Sequence, residues 1–206
     1  MIRTQPIPFA ELIKDIPSGE PVGIIGCGDC AAVLNTGGTK QVDALRESLQ
    51  ERNPVRFSMV VDAPCDQRVL RRMLGLIKGF KEARHIILLA CPAGAQSLAP
   101  LLEEDTAGIV GVGAGHRLHV GLKATGLAWV EKNGQKHSGC LFCSDCTFVT
   151  RKKVCPTAAC PLHRADGPCQ TRLLETLCPV KPDLHCVWLS KEDTIAVESL
   201  RQGERT

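Results

Sequence analysis

The fold is decided by VGIIG at residues 22–26 together with TKQVDALRESLQ at residues 39–50. The first segment is a short apolar run that ends in glycine, which is typical of a buried strand. The second segment has helical periodicity, and Thr39 is expected to cap its N-terminus. Together the two segments predict one strand followed by one helix.

The same strand and helix pattern recurs along the chain. Continuous apolar strands that alternate with amphipathic helices predict an α/β fold, with a parallel sheet covered on both faces. We expect this Rossmann-like or flavodoxin-like domain to span residues 1–133. The further predicted segments are strands at 56–61, 85–90 and 109–112, and helices at 66–80 and 93–102.

Charge and hydropathy exclude several classes of protein. The 206 residues carry a formal net charge of +3 from nearly balanced acids and bases, so composition gives no argument for nucleic acid as a partner. The apolar runs are too short to span a membrane, and residues 1–6 lack the apolar region of a secretion signal. We therefore expect a cytoplasmic protein.

Cysteine is the unusual component of this chain, which has twelve cysteines and no tyrosine. In a reducing compartment disulfides are rare, so metal–thiolate bonds account better for so many cysteines. Four thiolates complete a zinc site or an iron–sulfur cluster, and twelve is three times four. The composition therefore predicts a cysteine-ligated metal protein.

The first group of cysteines follows the predicted strands. Cys27 and Cys30 come after the first strand, Cys65 after the second and Cys91 after the third. Because the carboxyl ends of parallel strands meet at one edge of the sheet, we predict a four-cysteine site there that holds zinc or a [4Fe–4S] cluster. Two alternatives stay open: Cys65 and Cys91 are small buried hydrophobes, or Cys27 and Cys30 form a thioredoxin-like redox pair.

The second group of cysteines lies in residues 134–206, which we expect to form a small, ferredoxin-like metal-binding domain. Its first three cysteines have the C-x2-C-x2-C spacing of [4Fe–4S] ligands, and several later ones adjoin a proline. Eight thiols suit two [4Fe–4S] clusters, and a pair of structural zinc sites is the alternative. The eight are Cys140, Cys143, Cys146, Cys155, Cys160, Cys169, Cys178 and Cys186.

These motifs resemble those of the MetV-type family, the methylenetetrahydrofolate reductase C-terminal domain family. The resemblance keeps its order over some 160 residues of the chain. Two positions depart from the pattern: Leu34 stands where the family often has a third cysteine, and Gln170-Thr171 stands where it often has two glycines. The matching segments are GCGDCA at 26–31, TGG at 36–38, Cys65-Asp66, LACPAGAQ at 89–96, the cysteine run from Cys140, Cys155-Pro156, Cys160, GPC at 167–169 and CVW at 186–188.

The resemblance implies an accessory subunit of methylenetetrahydrofolate reductase in one-carbon metabolism. Its clusters would relay electrons from an upstream donor protein to a partner subunit, a TIM barrel that holds the flavin and the folate. The chain itself would not reduce the folate. The alternatives are a zinc-stapled docking subunit without redox activity and a thiol–disulfide oxidoreductase that uses Cys27 and Cys30.

Overall fold

The computed structural model describes residues 1–103, 115–143, 155–169 and 177–189. The chain divides into two compact units, Met1–Thr125 and Gly126–Thr206. The strands are β1 (Ile2–Pro6), β2 (Val22–Cys27), β3 (Val55–Val61), β4 (His85–Leu89), β5 (Arg117–Val120), β6 (Leu122–Val130) and β7 (Lys136–Ser138). The helices are α1 (Phe9–Leu12), α2 (Cys30–Val33), α3 (Thr39–Gln50), α4 (Gln67–Leu74), α5 (Pro92–Glu103) and α6 (Pro156–Ala159).

A four-stranded parallel sheet forms the centre of the first unit, as the sequence predicts. Its order is β3-β2-β4-β5, and every adjacent pair is parallel. This is the order of the first four strands in flavodoxin-like sheets. The order reverses between β2 and β4, so the topological switch point lies at their carboxyl ends.

The core of the first unit is formed by the two central strands and the helices that pack on them. Every residue of β2 and of β4 is buried. Leu49 on α3, Leu70 on α4 and Leu98 on α5 are each fully buried in the same apolar cluster. Burying each such side chain contributes about 1.5–3 kcal/mol, which holds the helices on the sheet.

Two helix boundaries differ from prediction. Thr39 was expected to cap α3, but Gly38 has extended backbone angles at the N-cap and Thr39 is already the first helical residue. The helix predicted over 66–80 begins after Asp66, whose carboxylate accepts a hydrogen bond from the Arg68 amide, and it ends at Leu74. Gly75 follows at the C-cap, where glycine has the lowest helix propensity among residues other than proline.

The fourth predicted strand, residues 109–112, lies outside the described residues. The fourth strand that the structure shows is β5, which pairs in parallel with β4. In the part of the chain that is described, no helix is both long and apolar enough to cross a bilayer.

In the second unit, β6 and β7 pair antiparallel, with Ala128 opposite Ser138 and Val130 opposite Lys136. In the first unit, Arg3 on β1 donates to the Thr125 hydroxyl at 3.0 Å. The described part of the second unit also contains α6 and an isolated bridge between Leu177 and His185. The ferredoxin-like arrangement of this region stays a prediction.

Candidate metal centre

The four N-terminal cysteines all follow strands of the parallel sheet at its carboxyl edge. Cys27 is the last residue of β2, and Cys30 is the first residue of α2. Cys65 and Cys91 follow the ends of β3 and β4, the two strands that flank β2. The topology therefore brings the predicted set to the switch point of the sheet.

Glycine allows the chain after α2 to cross close to the strand ends. The Cys27 amide donates to the Gly37 carbonyl at 2.9 Å, which ties this crossing segment to β2. A Cβ added at Gly37 would lie 2.2 Å from the Leu89 carbonyl oxygen, so the same segment also passes over the end of β4. No side chain fits at this position without moving backbone.

A tight turn directs the Cys65 loop toward α5. Ala63 has a φ of +48°, and the Asp66 amide donates to the Ala63 carbonyl at 2.8 Å. A Cβ built at Gly94, on the first turn of α5, would lie 3.5 Å from the Pro64 ring. Since Cys91 immediately precedes α5, this packing holds the loops that carry Cys65 and Cys91 side by side.

The thiols act on one another electrostatically. Burial raises the pKa of Cys27, and this effect outweighs backbone hydrogen bonds at Ala31 and Asp29 that lower it; the charges of Cys30 and Cys91 add a smaller increase. The pKa of Cys65 is also raised although this side chain is exposed: partial desolvation has the largest effect, followed by the negative charges of Cys91, Cys30 and Asp29. Several thiolates at this edge would repel one another, so ionising them together requires a bound cation.

The raised pKa of Cys27 does not favour the thioredoxin-like alternative. A redox-active C-x2-C pair needs a thiol whose pKa is lowered by its surroundings, because the thiolate is the nucleophile. Burial has the opposite effect on Cys27, which is 6% exposed.

The donor set, four soft thiols at one edge, suits zinc or an iron–sulfur cluster. Across residues 1–103, 115–143, 155–169 and 177–189, however, no group of three or more cysteine, histidine, aspartate or glutamate side chains is arranged to hold a metal ion. The four thiols share an edge and interact electrostatically without forming a ligand shell. Their assignment as ligands remains a prediction.

Seven of the eight C-terminal cysteines are described, and Cys146 lies outside the described residues. The Phe142 amide donates to the Cys140 sulfur at 3.3 Å, within the C-x2-C turn. The Thr157 hydroxyl donates to the Cys143 sulfur at 3.7 Å, so α6 packs beside this turn. Hydrogen bonds to sulfur orient and tune thiolate ligands in metal sites.

Cysteines stand at both ends of α6. Cys155 is the N-cap, and its sulfur accepts a hydrogen bond from the Ala158 amide at 3.4 Å. Cys160 is the C-cap, and it is buried. Cys155 and Cys160 therefore lie at the two ends of this short helix, and the Thr157 hydrogen bond places Cys143 beside it.

The last cysteines lie on segments that pack together. A Cβ at Gly167 would lie 2.1 Å from Cδ1 of Trp188, which is 7% exposed, so Gly167 lies directly against the indole. This contact brings the segment that carries Cys169 next to the segment that carries Cys186. Cys178 is buried within the loop closed by the bridge at 177 and 185.

Residues 121–204 match a family model described as methylene-tetrahydrofolate reductase C terminal. The match confirms the resemblance for this part of the chain. It includes all eight C-terminal cysteines. No curated protein and no solved structure matches the chain.

The sequence did not indicate a histidine pair at the opposite edge of the parallel sheet. His85, the first residue of β4, and His119 on β5 approach through Nδ1 and Nε2 at 2.9 Å. Burial lowers the pKa of both side chains, and the His85 ring lowers the pKa of His119 further. Only the register of β4 and β5, which pairs Ile87 with His119, brings these distant residues together.

Proposed function

We propose that the chain is an iron–sulfur electron-transfer accessory subunit of methylenetetrahydrofolate reductase. It would pass electrons from an upstream donor protein to the flavin of a separate catalytic subunit. The observation that carries this proposal is the family match over residues 121–204, because the matched segment contains the eight cysteines whose spacing suits cluster ligands.

The fold supports an accessory role over a catalytic one. A TIM barrel closes eight parallel strands, each followed by a helix, and builds its active site from the loops at their carboxyl ends. In the described part of this chain the parallel sheet has four strands in an open order. We therefore assign the flavin and the folate to a TIM-barrel partner.

The chemistry of the thiols supports their assignment as ligands. The eight C-terminal cysteines suit two [4Fe–4S] clusters, and Cys27, Cys30, Cys65 and Cys91 suit zinc or a further cluster. When bound, the clusters supply one-electron transfer. The cysteines of the chain would hold the clusters, and neighbouring groups would adjust the reduction potentials. Thr157 would act in this second way, through its hydrogen bond to the Cys143 sulfur.

The proposal is tested by mixing the anaerobically purified chain with the flavin-containing catalytic subunit. Complex formation is measured by size-exclusion chromatography, and flavin reduction by a prereduced ferredoxin is followed by absorbance. We expect a stable complex and flavin reduction that depends on the chain. The variant Cys143→Ser should abolish the relay, whereas Thr157→Val, which keeps every thiol, should retain it at a shifted potential. Flavin reduction at the same rate without the chain would contradict the proposal.

A zinc-stapled docking subunit is the second candidate. It is favoured by the hydrogen bonds from backbone amides to Cys140 and Cys155, since such bonds also support closed zinc–thiolate sites. This candidate predicts the same complex in the mixing experiment. It differs in that the chain would accept no electrons and would leave the flavin oxidised.

A further inference from the structure

The surface around α4 and the segment after it has a concentrated positive charge. Residues 67–84 contain six basic side chains and one acidic side chain, whereas the whole chain has a net charge of +3. Two of the six are paired with acids outside this segment, Arg68 with Asp66 at 2.6 Å and Arg84 with Glu20 at 3.6 Å, so the excess charge rests mainly on the other four. The acidic residue, Glu82, lies 4.0 Å from Arg56, a further base on β3. The six basic residues are Arg68, Arg71, Arg72, Lys78, Lys81 and Arg84.

An apolar groove lies within this basic surface. The segment after α4 runs along the outer edge of β3, because a Cβ at Gly79 would lie 3.0 Å from the Arg56 carbonyl oxygen. Beside this contact the two stretches part and leave a cavity of about 270 Å³. Leu76, on its wall, is 72% exposed. We call this the β3 groove, and it is lined by Phe57, Ser58, Met59, Leu76, Ile77 and Lys78.

A small apolar centre with a charged rim is the anatomy of a transient protein interface. Weak electron-transfer complexes bury little area, and complementary charge steers their encounter. The basic rim selects an acidic partner, and the exposed Leu76 offers an apolar contact that a protein can cover. A nucleic acid would use the charge but leave this contact unused.

The groove adjoins the candidate metal centre along one strand. Phe57–Met59 lies near the middle of β3, and the strand runs from there to Val61 and the loop of Cys65. At about 3.3 Å per residue, the two residues from Met59 to Val61 span less than 7 Å. Cys65, four residues beyond Val61, is exposed, so the strand that lines the groove leads to a solvent-accessible thiol of that centre.

We propose that the β3 groove docks a small acidic electron-carrier protein. The identity of the partner rests on the proposed function, in which an upstream donor supplies the electrons. The groove, its basic rim and the exposed Cys65 stand independently of it.

The test is direct binding of an oxidised, small acidic ferredoxin to the full chain, measured by isothermal titration calorimetry. The double variant Lys78→Glu with Lys81→Glu reverses the charge of the rim, and Leu76→Asp removes the apolar contact. The matched control, Lys132→Glu with Lys136→Glu, makes the same charge change on exposed residues outside the groove. Circular dichroism checks that each variant is folded, as expected for exposed positions.

We expect saturable binding at low salt that weakens as ionic strength rises from about 0.01 to 0.15 M, because the Debye length falls from about 30 to 8 Å. Each groove variant should weaken binding roughly tenfold or more, and the control pair should change it less than about threefold. The proposal is overturned if the wild-type chain does not bind the ferredoxin, or if a short DNA duplex binds the groove more tightly than the ferredoxin. It is also overturned if the double variant at Lys78 and Lys81 and the control pair at Lys132 and Lys136 weaken binding equally.

This measurement separates the docking surface from the proposed function. Oxidised ferredoxin can bind whether or not the chain holds iron. If the chain contains no iron but still binds ferredoxin through the groove, the proposed function is contradicted and the docking surface is supported. If the chain contains clusters but the groove variants do not weaken binding, the proposed function is supported and the docking surface is contradicted.

Discussion

Gly37→Ala should destabilise the first unit by steric conflict at the end of β4. The new Cβ would lie 2.2 Å from the Leu89 carbonyl oxygen, about 1.2 Å inside the 3.4 Å at which ordinary contacts begin. Neither side can yield easily, because the Gly37 carbonyl accepts from Cys27 at 2.9 Å and its amide donates to Ala31 at 3.2 Å. The substitution therefore strains backbone on both sides.

The magnitude follows from three contributions. Overpacking costs about 1–3 kcal/mol, and weakening the hydrogen bond to Cys27 costs about 1 kcal/mol. The lower entropy of the unfolded alanine chain offsets about 0.4–1 kcal/mol. The net loss in the free energy of unfolding is about 1–3.6 kcal/mol, which for an m-value of about 2 kcal/mol/M lowers the urea midpoint by about 0.5–1.8 M.

The assay is urea unfolding followed by far-ultraviolet circular dichroism. Gly19→Ala is the matched control, because Gly19 has open space around it and a φ of +83°. That change should cost about 1–2 kcal/mol of backbone strain, offset by the same ~0.4–1 kcal/mol of unfolded-chain entropy, for a net loss of roughly 1 kcal/mol. A midpoint for Gly37→Ala equal to or above that of Gly19→Ala would refute the close approach of this segment to β4.

Three further predictions concern pH, packing and metal content. Burial lowers the pKa of His85 and His119, so below about pH 6.5 the unfolded chain binds more protons than the folded chain. The stability that the neutral side chains contribute is therefore complete above that pH and should fall from about pH 6.5 to 5, which urea midpoints at pH 5, 6 and 7 measure. Gly167→Ala should cost about 1–3 kcal/mol or more through its clash with Trp188, seen as a lower melting temperature and altered tryptophan fluorescence. Cys65→Ser should lower the metal content of the N-terminal site and leave about eight irons at the C-terminal cysteines, as elemental analysis can show.

Each of these predictions has a clear contrary result. The pH dependence between 5 and 7 should largely disappear in the double variant His85→Gln with His119→Gln, and an unchanged slope would assign it to other groups. Unaltered melting of Gly167→Ala would contradict the packing of Gly167 on the indole. Unchanged total metal in Cys65→Ser would exclude that thiol as a ligand.

The parallel sheet was predictable because its signals are local. VGIIG and IILLA at 86–90 are continuous apolar segments, and continuous burial on both faces of a sheet requires them, whereas the edge strand β3 includes Arg56 and Ser58 and is only partly buried. The structure confirms these strands at β2, β3 and β4. Helix limits were less predictable: apolar spacing continues through Ile77, but α4 ends at Leu74 because glycine follows at 75, and the later side chains pack without helical backbone.

The placement of the N-terminal cysteines at one edge of the sheet was predictable, but the details of their surroundings were not. Strand ends bring Cys27, Cys65 and Cys91 to one edge once the sheet is known to be parallel. The crossing at Gly37 depends on a close backbone approach that no periodicity encodes. The pair of His85 and His119 likewise depends on strand register, which is set by tertiary packing.

Iron, zinc and acid-labile sulfide, measured with an absorption spectrum on the full chain purified without oxygen, test whether the chain carries electrons. We expect about eight or more irons per chain, matching sulfide, and a band at roughly 400 nm that bleaches on reduction. Zinc as the sole metal, with no sulfide and no visible band, would contradict electron transfer and leave a docking subunit.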